Sequence, residues 1–267
     1  MKFLLKIFLL ICVVFTFSSC KKAEETKNYA DLKSQIKGEK RFVVGINENS
    51  KPFAYYDEET NELVGFDVEL IKEISKKIFD TSKIIEFKAL TPSNRIYKLN
   101  AKEVDVVIST MTINQERLRV IDFSNPYFMT GQALLVKSDA NIRSGKDLNG
   151  KNIGIVLGTT AANNIKFIAS NANIKGFKNY QDAFIELENH NIDAISTDDV
   201  ILQGIANVSS KYKILPERYS TEFYGIAFRK DDFSKSLKDS INEVLAGLEK
   251  SGKLIQLEKK YGINYRR

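Results

Sequence analysis

The residues best placed to do chemistry in this chain are Arg117 and Thr112, five positions apart in Met111-Thr112-Ile113-Asn114-Gln115-Glu116-Arg117. The stretch follows the apolar run Val106-Val107-Ile108. A chain leaving a buried strand in this way exposes backbone N–H groups and the Thr112 hydroxyl at the strand's carboxyl end, where open α/β sheets bind ligands. A guanidinium aimed there is planar and always charged. It grips a carboxylate through two parallel hydrogen bonds, which an ammonium does not match. A solvated arginine on a short helix is the plain alternative, and the pattern around Arg117 argues against it.

Other chemistries find little to work with. His190 is the only histidine, in the polar helix end Leu187-Glu188-Asn189-His190-Asn191, so neither a histidine zinc site nor a Ser-His-Asp triad is expected. Two cysteines occur, Cys12 and Cys20. Lys2 and Lys6 precede an apolar run over 7–17 that is too short to span a bilayer, which reads as a secretory signal. Cys12 lies in that run and Cys20 at its processing point, leaving no cysteine in the mature body for a disulfide or a metal. No cofactor and no metal are expected. Removing 1–20 takes the formal charge from +6 to +4. Lysines and acids are interspersed, with no basic stripe carrying aromatics, so nucleic acid is not an expected partner. Residues 21–39 read as a polar tether.

Roughly 230 residues remain, enough for one large or two modest domains. Strand-like and helix-like runs alternate, which predicts an α/β architecture. Strands are expected over 41–46, 84–87, 104–109, 133–136, 153–157, 194–196 and 224–228. Helices are expected from Asp67 as N-cap with Val68, Ile71, Ile74 and Ile78 on one face, over 93–100, from Ala161, over 180–189 and around 237–248.

Seven segments together resemble family 3 of the bacterial extracellular solute-binding proteins, which feed amino acids to ABC importers. They are Pro52-Phe53-Ala54-Tyr55-Tyr56, Gly65-Phe66-Asp67-Val68-Glu69-Leu70, Asn94-Arg95-Ile96, and Met111-Thr112-Ile113 with Glu116-Arg117. Asp122-Phe123-Ser124-Asn125-Pro126-Tyr127, Gly158-Thr159-Thr160 and Thr197-Asp198 complete the set. The resemblance runs over about 40–265. It implies a two-lobed periplasmic-binding-protein-like (type II) clamp with two hinge crossings, near 133–136 and 224–228. Lobe 1 would be discontinuous, 40–132 plus 227–267, and lobe 2 would be 133–226. Phe17-Ser18-Ser19-Cys20 is similar to a lipobox, with Cys20 lipidated.

By match to the family's motif, Arg117 would hold the α-carboxylate of a free amino acid, helped by the backbone N–H groups of Thr112 and Thr160. Asp198 would accept from the α-ammonium, with Thr110 as a further acceptor. Asp199 is adjacent and either acid serves equally well as a helix cap; motif position favours Asp198. A zwitterion leaving water needs both ends paired, because an unpaired buried charge is costly. Phe53 and Tyr55, with Tyr56, would wall the pocket, although Phe53 suits a core position equally well. Arg95 resembles members that meet a distal side-chain carboxylate, so glutamate or aspartate is expected, then glutamine or cysteine. The implied partner is an ABC permease, the location a periplasm or outer cell surface reached through a lipid anchor, and the protein a monomer. Two other readings keep the fold: a sensor signalling through a separate protein, and a cyclohexadienyl-type dehydratase with Glu48 as its acid.

Overall fold

The computed structural model describes residues 34, 36, 38, 41–206 and 210–263. The signal segment with Cys20 lies outside the described residues, as does the tether apart from Ser34, Ile36 and Gly38, which are helical. Met1–Arg41 form one unit and Phe42–Arg267 another; the second is described here.

Its strands are β1 (Phe42–Ile46), β2 (Asn49–Ser50), β3 (Ala54–Tyr56), β4 (Leu63–Val64), β5 (Ile85–Ala89), β6 (Val106–Val107), β7 (Asp122–Phe123) and β8 (Phe128–Thr130). They continue as β9 (Gln132–Lys137), β10 (Asn152–Val156), β11 (Asn173–Phe177), β12 (Ala194–Asp198), β13 (Tyr212–Ile214), β14 (Glu222–Tyr224) and β15 (Ala227–Phe228). The helices are α1 (Phe66–Phe79), α2 (Arg95–Asn100), α3 (Gln115–Leu118), α4 (Ala161–Ile168), α5 (Tyr180–Glu188), α6 (Asp199–Ala206), α7 (Asp232–Lys250) and α8 (Lys253–Lys260).

These make two five-stranded sheets of the same plan. The first has the order β5-β1-β6-β15-β7 and the second β11-β10-β12-β9-β13. In each, three neighbouring strands run parallel, the fourth runs the other way, and the fifth returns to the direction of the first three. β1 is buried along its whole length, as a continuous apolar run in a parallel sheet should be. Leu99 of α2 packs with Val43, Val107 and Ile121 on one face of the first sheet. Helices cover both faces of the second, with Ile165 of α4 on one side and Ala183, Leu187 and Leu202 of α5 and α6 on the other.

Between the sheets lies a two-stranded antiparallel ribbon, β8 with β14. It corrects two expectations. Residues 133–136 are not a crossing but the fully buried middle of β9, bonded on both sides. The single strand expected over 224–228 is split, because Tyr224 ends the ribbon while Ala227 pairs with Val107 and Phe123 in the first sheet. Tertiary pairing divides what apolar character joins.

The start of α1 also differs from expectation. Gly65, not Asp67, is the N-cap, with φ +132°, and a Cβ there would stand 2.1 Å from the Phe53 carbonyl oxygen. Only glycine fits that close approach. Asp67 instead anchors the loop after β6, its buried Oδ2 accepting the Thr110 N–H at 3.2 Å.

Candidate ligand-binding site

Parallel strands deliver their loops to one edge, and here the two edges face each other. Pro92 and Arg95 follow β5; Thr110 and Thr112 follow β6; Thr159 and Thr160 follow β10; Tyr180 follows β11; Asp198 ends β12. Gln132 opens β9, which runs the other way and so starts at the same edge. Together with Arg117 and Thr197 these residues line one small cavity. Six of the eight residues proposed from sequence meet there: Arg95, Thr110, Thr112, Arg117, Thr160 and Asp198.

Arg117 is placed by its own short helix. The Asn114 side chain caps α3 by accepting the Arg117 N–H at 2.9 Å. The guanidinium then turns back: Nη1 donates to the Thr112 carbonyl at 2.6 Å and Nη2 to the Gly158 carbonyl at 3.1 Å. Among the described residues three of its five donors are left over. Thr112 is also tied to the ribbon by a bridge to Tyr224. Burial pushes the Arg117 guanidinium down, while Glu222 and Asp198 pull it up.

Arg95, also buried, donates from Nη1 to the Ser109 carbonyl at 2.5 Å, and its Nε has no hydrogen-bond partner among the described residues. Burial, then Arg117 nearby, pushes it down to about 9, which keeps it charged at neutral pH. Thr110 holds φ +45°, a left-handed conformation rare outside glycine, against the Asp67 carboxylate.

On the opposite wall Asp198 Oδ2 takes a short hydrogen bond from the Tyr224 hydroxyl, and its Oδ1 has no partner among the described residues. Burial, then Glu222, raises the Asp198 carboxyl to about 7, against the pull of Tyr224 and Arg117. Asp199 is occupied elsewhere: it accepts from Thr130 at 2.5 Å and Arg218 at 2.9 Å, which explains why only one acid of the pair faces the cavity. Thr160 starts α4 and donates its hydroxyl to Glu222 at 3.3 Å.

The three expected wall residues are elsewhere, Tyr56 beside Tyr55 in an outer groove. Phe53 is fully buried in an aromatic cluster, 5.1 Å from Phe128 and 5.5 Å from Tyr224 between ring centroids. Tyr55 lines an outer groove, with the Lys51 ammonium 5.0 Å above its ring. Along β3 burial falls from buried Ala54 through half-buried Tyr55 to exposed Tyr56, a direction the motif alone does not give. Glu48 lies in the same outer groove, not in the cavity. Sequence reading missed Gln132 and Tyr180. Gln132 leaves one signal, a polar residue opening the otherwise apolar run Ala133-Leu134-Leu135-Val136. Among the described residues no cluster of three metal-ligating side chains occurs, and His190 is exposed beside Lys137.

The match to a family model decides the identity: residues 42–264 fit the bacterial extracellular solute-binding proteins, family 3. The chain belongs to that family. A glutamine-binding protein of Geobacillus stearothermophilus is 38% identical over 222 residues, 82% of this chain and 85% of the relative. The ABC transporter glutamine-binding protein GlnH of Bacillus subtilis is 32% identical over 260 residues, 97% and 94% of the two chains. In three dimensions, a mutant of ArgBP from T. maritima superposes with a TM-score of 0.79 at 34% identity, over 86% of this chain and 98% of the other. The ancestral amino acid-binding protein AncCDT-1, a precursor of cyclohexadienyl dehydratase, gives 0.78 at 31% identity over the same shares. The two sheets and their ribbon are the two-lobed periplasmic-binding-protein-like fold of this family-3 protein.

Proposed function

We propose that this protein captures a free amino acid outside the cytoplasm and hands it to an ABC permease, without chemical change. The observation that carries the reading is one cavity with two guanidiniums on one wall and a half-satisfied carboxylate on the other. Arg117 and the Thr160 N–H, at a helix start where donors are free, hold the α-carboxylate. Asp198 and Thr110 take the α-ammonium. Arg95 meets the side chain. The groups lining the cavity sum to one positive charge, which suits an amino acid of net charge −1, glutamate or aspartate. Glutamine is the second reading. It is favoured by the names of the relatives and by Glu222, which sits behind Thr160 and offsets that charge.

An elimination reaction is disfavoured by the position of Glu48 in the outer groove, away from the cavity. Lobe 1 is assigned to 40–132 plus 227–267 and lobe 2 to 133–226. The protein acts as a monomer, anchored through lipidated Cys20 at a periplasmic or outer surface. A sensor would use the same site, so transport is tested by uptake in cells lacking the gene. Capture is tested by calorimetric titration of the refolded 21–267 body with each of the twenty amino acids. One-to-one binding of glutamate or aspartate supports the acidic reading. Glutamine alone would select the second reading, and a cationic amino acid would refute both.

A further inference from the structure

We infer that Gln132 is an ammonium-selecting residue, its amide oxygen forming with Asp198 a two-acceptor grip on the ligand's charged nitrogen. This rests on the amino-acid capture reading above. Gln132 and Asp198 are directly opposite in the antiparallel pair β9–β12 and so present their side chains on the same face. Both line the cavity and both are buried. Gln132 Oε1 and Asp198 Oδ1 each lack a hydrogen-bond partner among the described residues. Two adjacent buried acceptors without donors are costly, and a cationic donor relieves both.

The orientation of an amide must come from its surroundings, because its two ends have the same shape. Here Glu222 sets it. A carboxylate only accepts, and Glu222 Oε1 receives Ser220 Oγ at 2.8 Å, Asn164 Nδ2 at 3.0 Å and Thr160 Oγ1 at 3.3 Å. Thr160 and Ser220 have then each given away their one proton. Each accepts in turn from Gln132: Thr160 from Nε2 at 2.8 Å, Ser220 from the backbone N–H at 3.2 Å. Turning the amide over would set two oxygens against the single Thr160 proton. Glu222 therefore keeps the Gln132 oxygen, not its NH₂, on the side away from Thr160. It selects a ligand nitrogen without touching it.

The test compares L-glutamate and L-glutamine with glutarate and glutaramate, the same molecules without the α-ammonium, by calorimetry with competition for the weak pairs. Gln132→Met keeps length and loses the acceptor. The expected result is a loss of roughly tenfold or more for the amino acids and little change for the desamino acids. Glu222→Gln removes the one-way acceptor and is expected to narrow the same preference, which serves where Gln132→Met does not fold. Equal losses for both ligand classes, or no loss, would overturn the inference and leave capture standing. Failure of the unaltered protein to bind any amino acid would overturn capture itself, and this inference with it.

Discussion

In the proposed reading each end of a zwitterion has its own partner, so single substitutions separate the roles. Arg117→Ala is expected to leave the ligand carboxylate buried without its charged partner, a loss of about 2–5 kcal/mol, or roughly thirtyfold to several-thousandfold in Kd by calorimetry. Arg95→Ala should weaken an acidic amino acid far more than glutamine; equal weakening of both would remove Arg95 from side-chain selection. The Asp198 carboxyl, raised to about 7 mainly by burial, gives binding a pH dependence. Below pH 7 it takes up a proton and presents no charge to the ammonium, so affinity is expected to fall toward tenfold per unit between pH 7 and 5. Stability runs the other way. Asp198 and Asp67 are both raised from 3.8 to about 7, so between those values the folded chain holds protons that the unfolded chain has released. Stability from these two groups is complete below about pH 4 and is lost as pH rises through 7. Glu103, drawn down to about 2 by Lys88 and Lys98, acts below this window. The ligand-free Tm is therefore expected to be higher at pH 5.5 than at 7.5, and Asp198→Asn to flatten that difference.

At the scale of elements, the site depends on how strands end. Thr110 reaches the cavity only in a left-handed turn after β6, and α1 supplies the Asp67 carboxylate that receives its N–H. α1 can start there only because Gly65 lets the backbone pass against Phe53. Gly65→Ala meets both a disfavoured φ and a backbone clash. The expected cost is about 2–4 kcal/mol in denaturant unfolding, with a weaker affinity because Asp67 and Thr110 move with the helix. An unchanged unfolding midpoint would show that the turn is more pliable than its geometry implies. The same dependence explains the short α3, where Asn114 caps four residues and thereby fixes Arg117.

For the whole molecule, the two sheets meet through glycines. A Cβ on Gly158 would lie 2.4 Å from the Pro92 carbonyl oxygen, and one on Gly204 2.2 Å from that of Lys51. Both are contacts of the second sheet's side with loops of the first, and Arg117 to Gly158 adds a hydrogen bond across the cleft. Gly158, at φ +84°, also needs a conformation that other residues resist. A ligand held by both walls stabilises this closed arrangement by its differential affinity for it. Gly158→Ala is expected to block closure while each lobe stays folded: affinity falls roughly tenfold or more, and small-angle scattering with saturating ligand gives a larger radius of gyration than for the unaltered protein. Equal radii would place the energetics of closure elsewhere, in the β8–β14 ribbon.

Much of this protein is determined by sequence alone. The alternation of apolar runs with helical periodicity, the loops after strands that carry Thr112 and Thr160, the strand that ends in Asp198, and a fork at Arg117 all depend on neighbours close in the chain. Six of the expected residues, read from the motifs shared with the family, line one cavity. Tertiary structure decided what depends on distant partners. Phe53 became core because Phe66, Phe128 and Tyr224 surround it. Asp199 left the cavity because Arg218 and Thr130 hold it. Residues 133–136 became a sheet interior because strands from both directions pair with them. Gln132 gained its role from Asp198, 66 positions away, and from Glu222 through Thr160. Side-chain type sets which chemistry is possible; the pairing of remote strands sets which atoms face the ligand.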